Sequence, residues 1–321
     1  MGRERLRAGK HLQLYLACFI KTPEVCMKIL LATDGSEFSE GAAGFLAALD
    51  FSPDDEIIIL HAISYVPFQD STQSYEAALR RFKEETGAKI LDSAVEALKN
   101  SKAKISTALM DGYPDLAISD AAAESNADLI VMGSRGLRGI KSLVVGSATR
   151  SVATNSPKPL LVVKPPQWAR TEGLKILFAT DGSDYAGVTA KLLTSMPFRS
   201  DTELTALYVT SSSFADMPAR FAIEVDDRVK KEVAEARTAE FADADRIIDL
   251  AMTTLRGRFT NLDGVKKVGD PSIEILEAAA ALKADIIAVG SRGLRGIRGA
   301  LGSVSRHVLN HAECSVIIGK M

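Results

Sequence analysis

The sequence predicts an α/β protein built from two tandem, doubly wound domains, and three observations support this prediction. The segment KILLATDGS at 28–36 returns as KILFATDGS at 175–183. The octapeptide GSRGLRGI occurs at both 133–140 and 290–297. Each copy also alternates short apolar runs with longer stretches of helical period, as repeated supersecondary units do. Near-continuous apolar strands are typical of a parallel sheet that helices cover on both faces.

The first half contains five apolar runs that predict strands, separated by stretches of helical period. Apolar residues at Ala42, Phe45, Leu46 and Leu49 follow the spacing of one helix face. Pro114 suits the first turn of a helix, where its missing N–H costs little. We expect strands at 27–33, 55–63, 104–110, 127–133 and 159–163, and helices at 37–49, at 74–99, from Pro114 and from Ser147.

The second half repeats this order of strands and helices. It carries about ten extra residues between the two repeated motifs, because the first motif recurs at an offset of 147 and the octapeptide at 157. We expect strands at 175–180, 203–209, 262–268, 285–289 and 316–318, and helices at 226–255, from Pro271 and from Ser303.

Length and composition set the domain boundaries and the class of protein. The 321 residues are 46% hydrophobic with a net charge of −2, which is typical of globular domains and gives no support for a nucleic-acid partner. A linker rich in proline and glycine at 164–173 separates predicted domains at 27–166 and 173–321. No apolar run reaches the ~18–20 residues of a membrane span. Three cysteines without a CxxC pair indicate a reducing compartment, the cytoplasm.

Residues 1–26 are predicted to be a disordered extension that precedes the first strand. The alternative is a secretory signal, because four basic residues precede an apolar run at 12–20. A small-residue cleavage site does not follow that run, which favours the extension.

Glycines and an acidic residue cluster after the first and fourth strands of each half, where ligands bind in such sheets. In the first half Asp34 precedes Gly35, and the fourth strand is followed by Gly133-x2-Gly136-x9-Gly146-Ser147. Glycines let the backbone approach a ligand closely, and a helix N-terminus attracts phosphate. Ser147 is expected to cap its helix, Arg135 and Arg138 to supply positive charge, and Asp34 to accept hydrogen bonds from ribose or adenine. The cluster predicts an adenine nucleotide.

The Gly-x2-Gly-x9-Gly-(Ser/Thr) pattern, with an aspartate after the first strand, resembles the ATP-binding universal stress proteins across residues 27–321. The resemblance implies a Rossmann-like fold of the adenine-nucleotide alpha-hydrolase type, with a five-stranded parallel sheet in the order 3-2-1-4-5 in each domain. It also implies ATP, which usually carries Mg²⁺, and adenine contacts from the backbone of Ala62 and Val209. The two domains are expected to pair internally through 160–163 and 316–318, and the chain to form a homodimer in addition.

The expected ligand-binding residues fall into two equivalent sets, and neither a catalytic residue nor a metal ligand is assigned. The first set is Thr33, Asp34, Ala62, Met132, Gly133, Arg135, Gly136, Gly146, Ser147, Ala148 and Thr149. The second set is Thr180, Asp181, Val209, Val289, Gly290, Arg292, Gly293, Gly302, Ser303 and Val304.

The second loop differs from the first in length. Eight residues separate Gly293 from Gly302, whereas nine separate Gly136 from Gly146, a difference of about 3.5 Å of chain. Gly299 adds flexibility there. The sequence leaves open whether the second site binds ATP.

Two other functions compete with a regulatory ATP-binding protein of the stress response. The first is an enzyme, a slow ATPase or an ATP pyrophosphatase, but the latter carries a Ser-Gly-Gly-x-Asp-Ser loop where this chain has TDGS at 33–36. His61 is interpreted as a packed residue, and His307 with His311 as a surface face rather than a metal site. The second is a scaffold for a lipid-like ligand or a protein, suggested by the apolar-rich segment Ser211–Glu224.

Overall fold

A computed structural model describes residues 26–64, 73–136, 145–165, 173–210, 226–294 and 301–321. The first half contains β1 Lys28–Ala32, α1 Glu37–Ala47, β2 Glu56–Ile63, α2 Gln73–Ala97, β3 Lys104–Asp111, α3 Pro114–Glu124, β4 Leu129–Gly133, α4 Ser147–Asn155 and β5 Leu160–Val163. The second contains β6 Lys175–Ala179, α5 Asp184–Ser195, β7 Glu203–Thr210, α6 Asp227–Leu255, β8 Asn261–Val268, α7 Pro271–Leu282, β9 Ile286–Gly290, α8 Ser303–His311 and β10 Ser315–Gly319.

All ten strands form one sheet in the order β3-β2-β1-β4-β5-β10-β9-β6-β7-β8. Within each half the order is 3-2-1-4-5 and neighbouring strands are parallel. The predicted fold class, two tandem doubly wound α/β domains, is therefore confirmed.

The two halves join through their fifth strands, as the resemblance implied. β5 and β10 are antiparallel, with Val162 opposite Val316 and Leu160 opposite Ile318. Both strands are buried along their whole length. An antiparallel pair between equivalent strands is what a twofold relation between the halves requires, so the described part of the chain is one continuous layered body.

Helices cover the sheet on both faces and bury an apolar core on each. One core packs α1, α2, α5 and α6 against the strands, and the other packs α3, α4, α7 and α8. The central strands β1, β4, β9 and β10 alternate their side chains between these cores, which is why their sequences read as continuous apolar runs.

The edge strands and one helix differ from the sequence prediction, and several predicted features lie outside the described residues. β3 and β8 form the sheet edges and are largely exposed, so burial on both faces does not extend to them. The helix α5, capped by Ser183, had no predicted range. Residues 1–25, Arg138, Gly299 and Ser211–Glu224 lie outside the described residues. None of the helices in the described ranges is long and apolar enough to span a membrane.

Candidate functional site

The loop after β1 is a tight turn that presents an aspartate at the carboxyl edge of the sheet. The backbone N–H of Thr33 donates to Leu60 O at 2.9 Å, which ties the turn to β2. Gly35 has a φ of +74°, a conformation that L side chains rarely adopt. The N–H of Ser36 donates to Asp34 Oδ1 at 3.0 Å, and the Ser36 hydroxyl caps α1. Asp34 is thereby held in one orientation, half-buried.

The loop after β4 lies directly against this aspartate. A Cβ added to Gly136 would overlap Asp34 Oδ2, so the backbone at Gly136 rests on the carboxylate. The second half repeats the arrangement, because a Cβ at Gly293 would lie 2.6 Å from Asp181 Oδ2. There the N–H of Leu294 also donates to Asp181 Oδ2 at 3.1 Å. The structure thus brings the two motif elements of each half together.

Gly133 allows α1 to pack closely on β4, whereas the sequence analysis had explained this glycine only by close approach to a ligand. Its added Cβ would lie 2.6 Å from the carbonyl carbon and oxygen of Phe38, at the start of α1. The backbone of a helix cannot retreat as a flexible side chain can, so the close packing of α1 on β4 depends on this glycine. Gly290 is less constrained, with Tyr185 atoms 3.0 Å from the added Cβ.

The helices that follow the glycine loops begin at glycine, without a side-chain cap. The N-cap of α4 is Gly146 and that of α8 is Gly302, and their N–H groups donate to Ser134 O and Ser291 O at 2.9 and 2.8 Å. The prediction that Ser147 caps α4 is therefore wrong by one position. Ser147 is instead the first helical residue and is exposed, as is Ser303 in α8.

These two helix starts contrast with those of α1, α5, α6 and α7, which each begin at a serine or aspartate whose side chain accepts a backbone N–H. The first-turn N–H groups of a helix have no acceptor within the helix. Neither α4 nor α8 has an acidic residue in its first turn. Their starts are therefore suited to an external anion.

Hydroxyl groups one turn into these helices fix them to the preceding strands. Thr149 Oγ1 donates to Gly133 O at 3.1 Å, and Ser305 Oγ donates to Gly290 O at 2.6 Å. Thr149 was predicted to be a ligand-binding residue, and the structure gives its hydroxyl this protein partner. Ser305 was missed, although its offset of 156 residues from Thr149 could have revealed it.

Arg135 and Arg292 both lie over an aromatic ring at the start of the first helix of their half. The guanidinium carbon of Arg135 is 5.4 Å from the ring centre of Phe38, and that of Arg292 is 5.2 Å from Tyr185. Arg292 Nη1 also donates to the Tyr185 hydroxyl at 2.7 Å. Sequence reasoning identified both arginines but missed these aromatic partners.

The remaining predicted residues lie at the same carboxyl edge of the sheet. Ala62 and Val209 are half-buried near the ends of β2 and β7. Met132 and Val289 are buried near the ends of β4 and β9. Thr180 repeats the role of Thr33, donating its N–H to Leu207 O at 2.9 Å. Ala148 and Val304 are the second residues of α4 and α8.

The three histidines in the described ranges occupy packed or surface positions. His61 Nδ1 lies 2.8 Å from Thr33 O, so its ring is engaged with the β1 turn. His307 and His311 stack with ring centres 4.1 Å apart. Within the described ranges, no three metal-ligating side chains come together.

Comparison with known proteins identifies relatives that each match somewhat less than half of the chain's length. A universal stress protein of Methanocaldococcus jannaschii is 32% identical over 142 residues, covering 44% of this chain and 83% of that protein. One from Thermus aquaticus is 35% identical over 136 residues, covering 42% of this chain and 97% of the relative.

The fold of the whole chain also has a solved counterpart. The crystal structure of a universal stress protein from Archaeoglobus fulgidus superposes with a TM-score of 0.62 at 23% identity, covering 91% of this chain and 98% of that one. The universal stress protein family model matches residues 27–164 and again residues 174–320. The chain therefore belongs to the universal stress protein family and carries two of its domains in tandem.

Proposed function

We propose that this protein binds ATP in both halves and uses it as a regulatory ligand in the cytoplasmic stress response. The observation that carries the proposal is the pairing, found twice, of an aspartate under a glycine loop with a helix start that lacks a side-chain cap. Such a pairing offers a hydrogen-bond acceptor for a nucleoside and N–H donors for phosphate at one edge of the sheet.

Each part of the nucleotide has a proposed partner. The first-turn N–H groups of α4, with the exposed Ser147 hydroxyl, would hold the phosphates. Arg135, which lies over Phe38, would add positive charge. Asp34 would accept hydrogen bonds from the ribose, and the Ala62 backbone would contact adenine. Asp181, Arg292, Val209 and Ser303 would do the same in the second half.

The proposed action is binding rather than turnover. A ligand that prefers one conformation or assembly of the protein shifts its population toward that state. Mg²⁺ would arrive with the phosphates of ATP and be held chiefly by them. Slow hydrolysis is the competing reaction, and measuring phosphate release from the ATP-saturated protein separates the two.

The test combines identification of the native ligand with a variant. Denaturing protein purified from cells should release an adenine nucleotide. The double variant Gly136→Glu, Gly146→Glu places one side chain against Asp34, at the proposed ribose position, and one carboxylate at the proposed phosphate site. We expect calorimetry to show that ATP binding at the first site is lost. Gly257→Glu is the matched control, because a Cβ at Gly257 meets no atom within 4 Å.

Unchanged ATP affinity in the folded double variant would show that the pocket is wrongly assigned. Absence of any adenine nucleotide, together with no ATP-dependent rise in melting temperature, would refute ATP binding altogether. Lipid extraction and mass spectrometry would then examine the scaffold function.

A further inference from the structure

Two buried lysines cross the boundary between the halves. Lys164 follows β5 and Lys320 follows β10, and their exposed fractions are only 6% and 8%. Lys164 Nζ donates to Leu309 O at 2.9 Å and to Ala312 O at 2.6 Å. Lys320 Nζ donates to Val152 O at 3.1 Å and to Ser156 O at 2.5 Å. Each half therefore inserts one lysine into the other.

The carbonyl groups that these lysines reach are those at the C-terminal ends of α4 and α8. The last carbonyls of a helix have few partners within it, and a cation there is favourable to the helix dipole. Val152 O also accepts the N–H of Ser156 at 3.0 Å, so Lys320 is its second donor. Lys320 thus caps α4 of the first half, and Lys164 caps α8 of the second. The same device occurs twice because the halves are related by the twofold pairing of β5 and β10.

The opposite ends of the same two helices are the proposed phosphate sites. The two carbonyls that Lys320 reaches, those of Val152 and Ser156, lie five and nine residues after Ser147, which is about 7.5 and 13.5 Å along the helix. A helix this short moves as one rigid unit. A ligand that fixes the start of α4 must therefore also fix the carbonyl groups that hold Lys320.

Each lysine is in turn adjacent to the nucleotide loop of its own half. Lys320 follows Gly319, whose carbonyl accepts the N–H of Ser291 at 2.8 Å. Ser291 lies between Gly290 and Gly293. Lys164 likewise follows Val163, whose carbonyl accepts the N–H of Ser134 at 2.9 Å. A continuous chain of contacts therefore runs from the first site through α4 and Lys320 to the second site, and a matching chain runs back.

We propose that the crossed lysines couple the two nucleotide sites, so that ATP bound in one half raises the affinity of the other. The proposal rests on the proposed ATP binding and adds its regulation. The sign is positive because the first ligand orders α4, its lysine and the base of the opposite loop, and the second ligand then has less to order. Coupling between sites is typically 5- to 150-fold, and we expect about 5-fold across this short path.

Calorimetric titration of the full chain tests the coupling directly. We expect two ATP per chain with a Hill coefficient above 1. In the variant Gly136→Glu, Gly146→Glu, the second site is intact but the first cannot be filled. It should bind ATP about 5-fold more weakly than the second site of a wild-type chain whose first site is occupied. Two sites that bind independently, with the second unaffected by loss of the first, would overturn the coupling and leave ATP binding standing. A single ATP per chain would also overturn it, and no ATP binding at all would refute the proposed function itself.

The lysines themselves are tested by Lys164→Met and Lys320→Met. In each folded variant we expect both sites to bind ATP while the Hill coefficient falls below the wild-type value, because one of the two contact chains is cut. Lys191→Met, on the exposed side of α5, is the control and should keep the wild-type coefficient. An unchanged Hill coefficient in both lysine variants would show that the coupling takes another route. If neither variant folds, the titration with the disabled first site still decides whether coupling exists.

Discussion

At the scale of single residues, Gly133 and Gly290 are equivalent in sequence but differ in the space around them. An added Cβ meets helix backbone at 2.6 Å at Gly133, whereas at Gly290 the nearest atoms are 3.0 Å away. Forcing one extra methyl group into a packed core costs about 1–3 kcal/mol. We expect Gly133→Ala to lower the free energy of unfolding by about 3 kcal/mol and Gly290→Ala by about 1 kcal/mol, as measured by urea denaturation.

Gly187→Ala is the control for this pair, since it adds the same methyl group to an exposed helix position with no atom within 4 Å. It should leave stability unchanged or slightly raised, because alanine favours helix. Equal losses for Gly133→Ala and Gly290→Ala would contradict the packing argument.

Residue identities were more predictable than residue roles. The spacing of the glycines placed Gly136 near Asp34, since both follow adjacent parallel strands. The contact of Gly133 with Phe38 was not predictable, because it depends on how closely one helix approaches one strand. The cap of α4 was misplaced by one residue, because glycine and serine both suit an N-cap and only the backbone shows which one occupies it.

At the scale of elements, the start of α4 lacks the side-chain cap that α1, α5, α6 and α7 possess, whereas α3 begins at Tyr113 and Pro114 and is likewise uncapped. Gly146 has φ −61° and ψ 158°, which any residue adopts, and an added Cβ would make ordinary contact with Arg135 Cα at 3.4 Å. An aspartate there would cap the helix and favour its dipole. We expect Gly146→Asp to raise the free energy of unfolding without ligand by about 0.5 kcal/mol. Its carboxylate should at the same time abolish ATP binding at the first site.

The variant Gly146→Asn separates the effect of a capping side chain from the effect of its negative charge. Asparagine caps a helix about as well as aspartate but is neutral, so this variant should be stabilised similarly. It should bind ATP more weakly than the wild type, because its side chain competes for the first-turn N–H groups, but more tightly than Gly146→Asp, because it does not repel phosphate. Chemical denaturation and calorimetry on the two variants measure both quantities. If Gly146→Asp binds ATP with wild-type affinity, the start of α4 does not bind the phosphates.

The periodicity of apolar residues predicted the positions of most helices and strands closely, and the differences lie at helix ends. The predicted helix at 37–49 ends at Ala47, and that at 74–99 ends at Ala97. The helix α5 was not assigned a range, although its Ser183 cap matches Ser36 of the first half. The exposure of β3 and β8 could not be read from their sequences, because edge position is a property of the completed sheet.

At the scale of the whole molecule, the joining of the halves was foreseen through β5 and β10, but its polar component was not. Lys164 and Lys320 are separated by 145 to 168 residues from the carbonyls they cap, and those partners are backbone atoms that carry no sequence signal. Their equivalent positions after two repeated strands were the only available clue. Duplication thus predicts that a feature occurs twice without predicting what the feature is.

Because the two lysines are buried between the halves, the stability of the joined molecule should depend on pH in an unusual direction. Burial lowers the pKa of Lys164 from 10.5 to about 8, with Arg135 lowering it further and Cys314 opposing, and burial with Arg292 lowers that of Lys320 to about 8. In the unfolded chain both keep ordinary values. Between pH 8 and 10.5 the unfolded state therefore binds more protons, so this contribution to stability grows as pH rises and is lost as pH falls through 8.

The measurement compares the wild-type chain with Lys164→Met by urea denaturation at pH 7.5 and 9.5. The variant lacks one of these groups. The unfolding free energy of the wild type minus that of the variant, here called the gap, should therefore increase by about 2 kcal/mol from pH 7.5 to pH 9.5. Lys191→Met removes an exposed lysine and should leave the gap constant. Lys320→Met should repeat the result, because it is the twofold counterpart. A gap that stays constant for both buried lysines would show that they are already solvated in the folded protein, and that water rather than helix carbonyls satisfies them where the two halves meet.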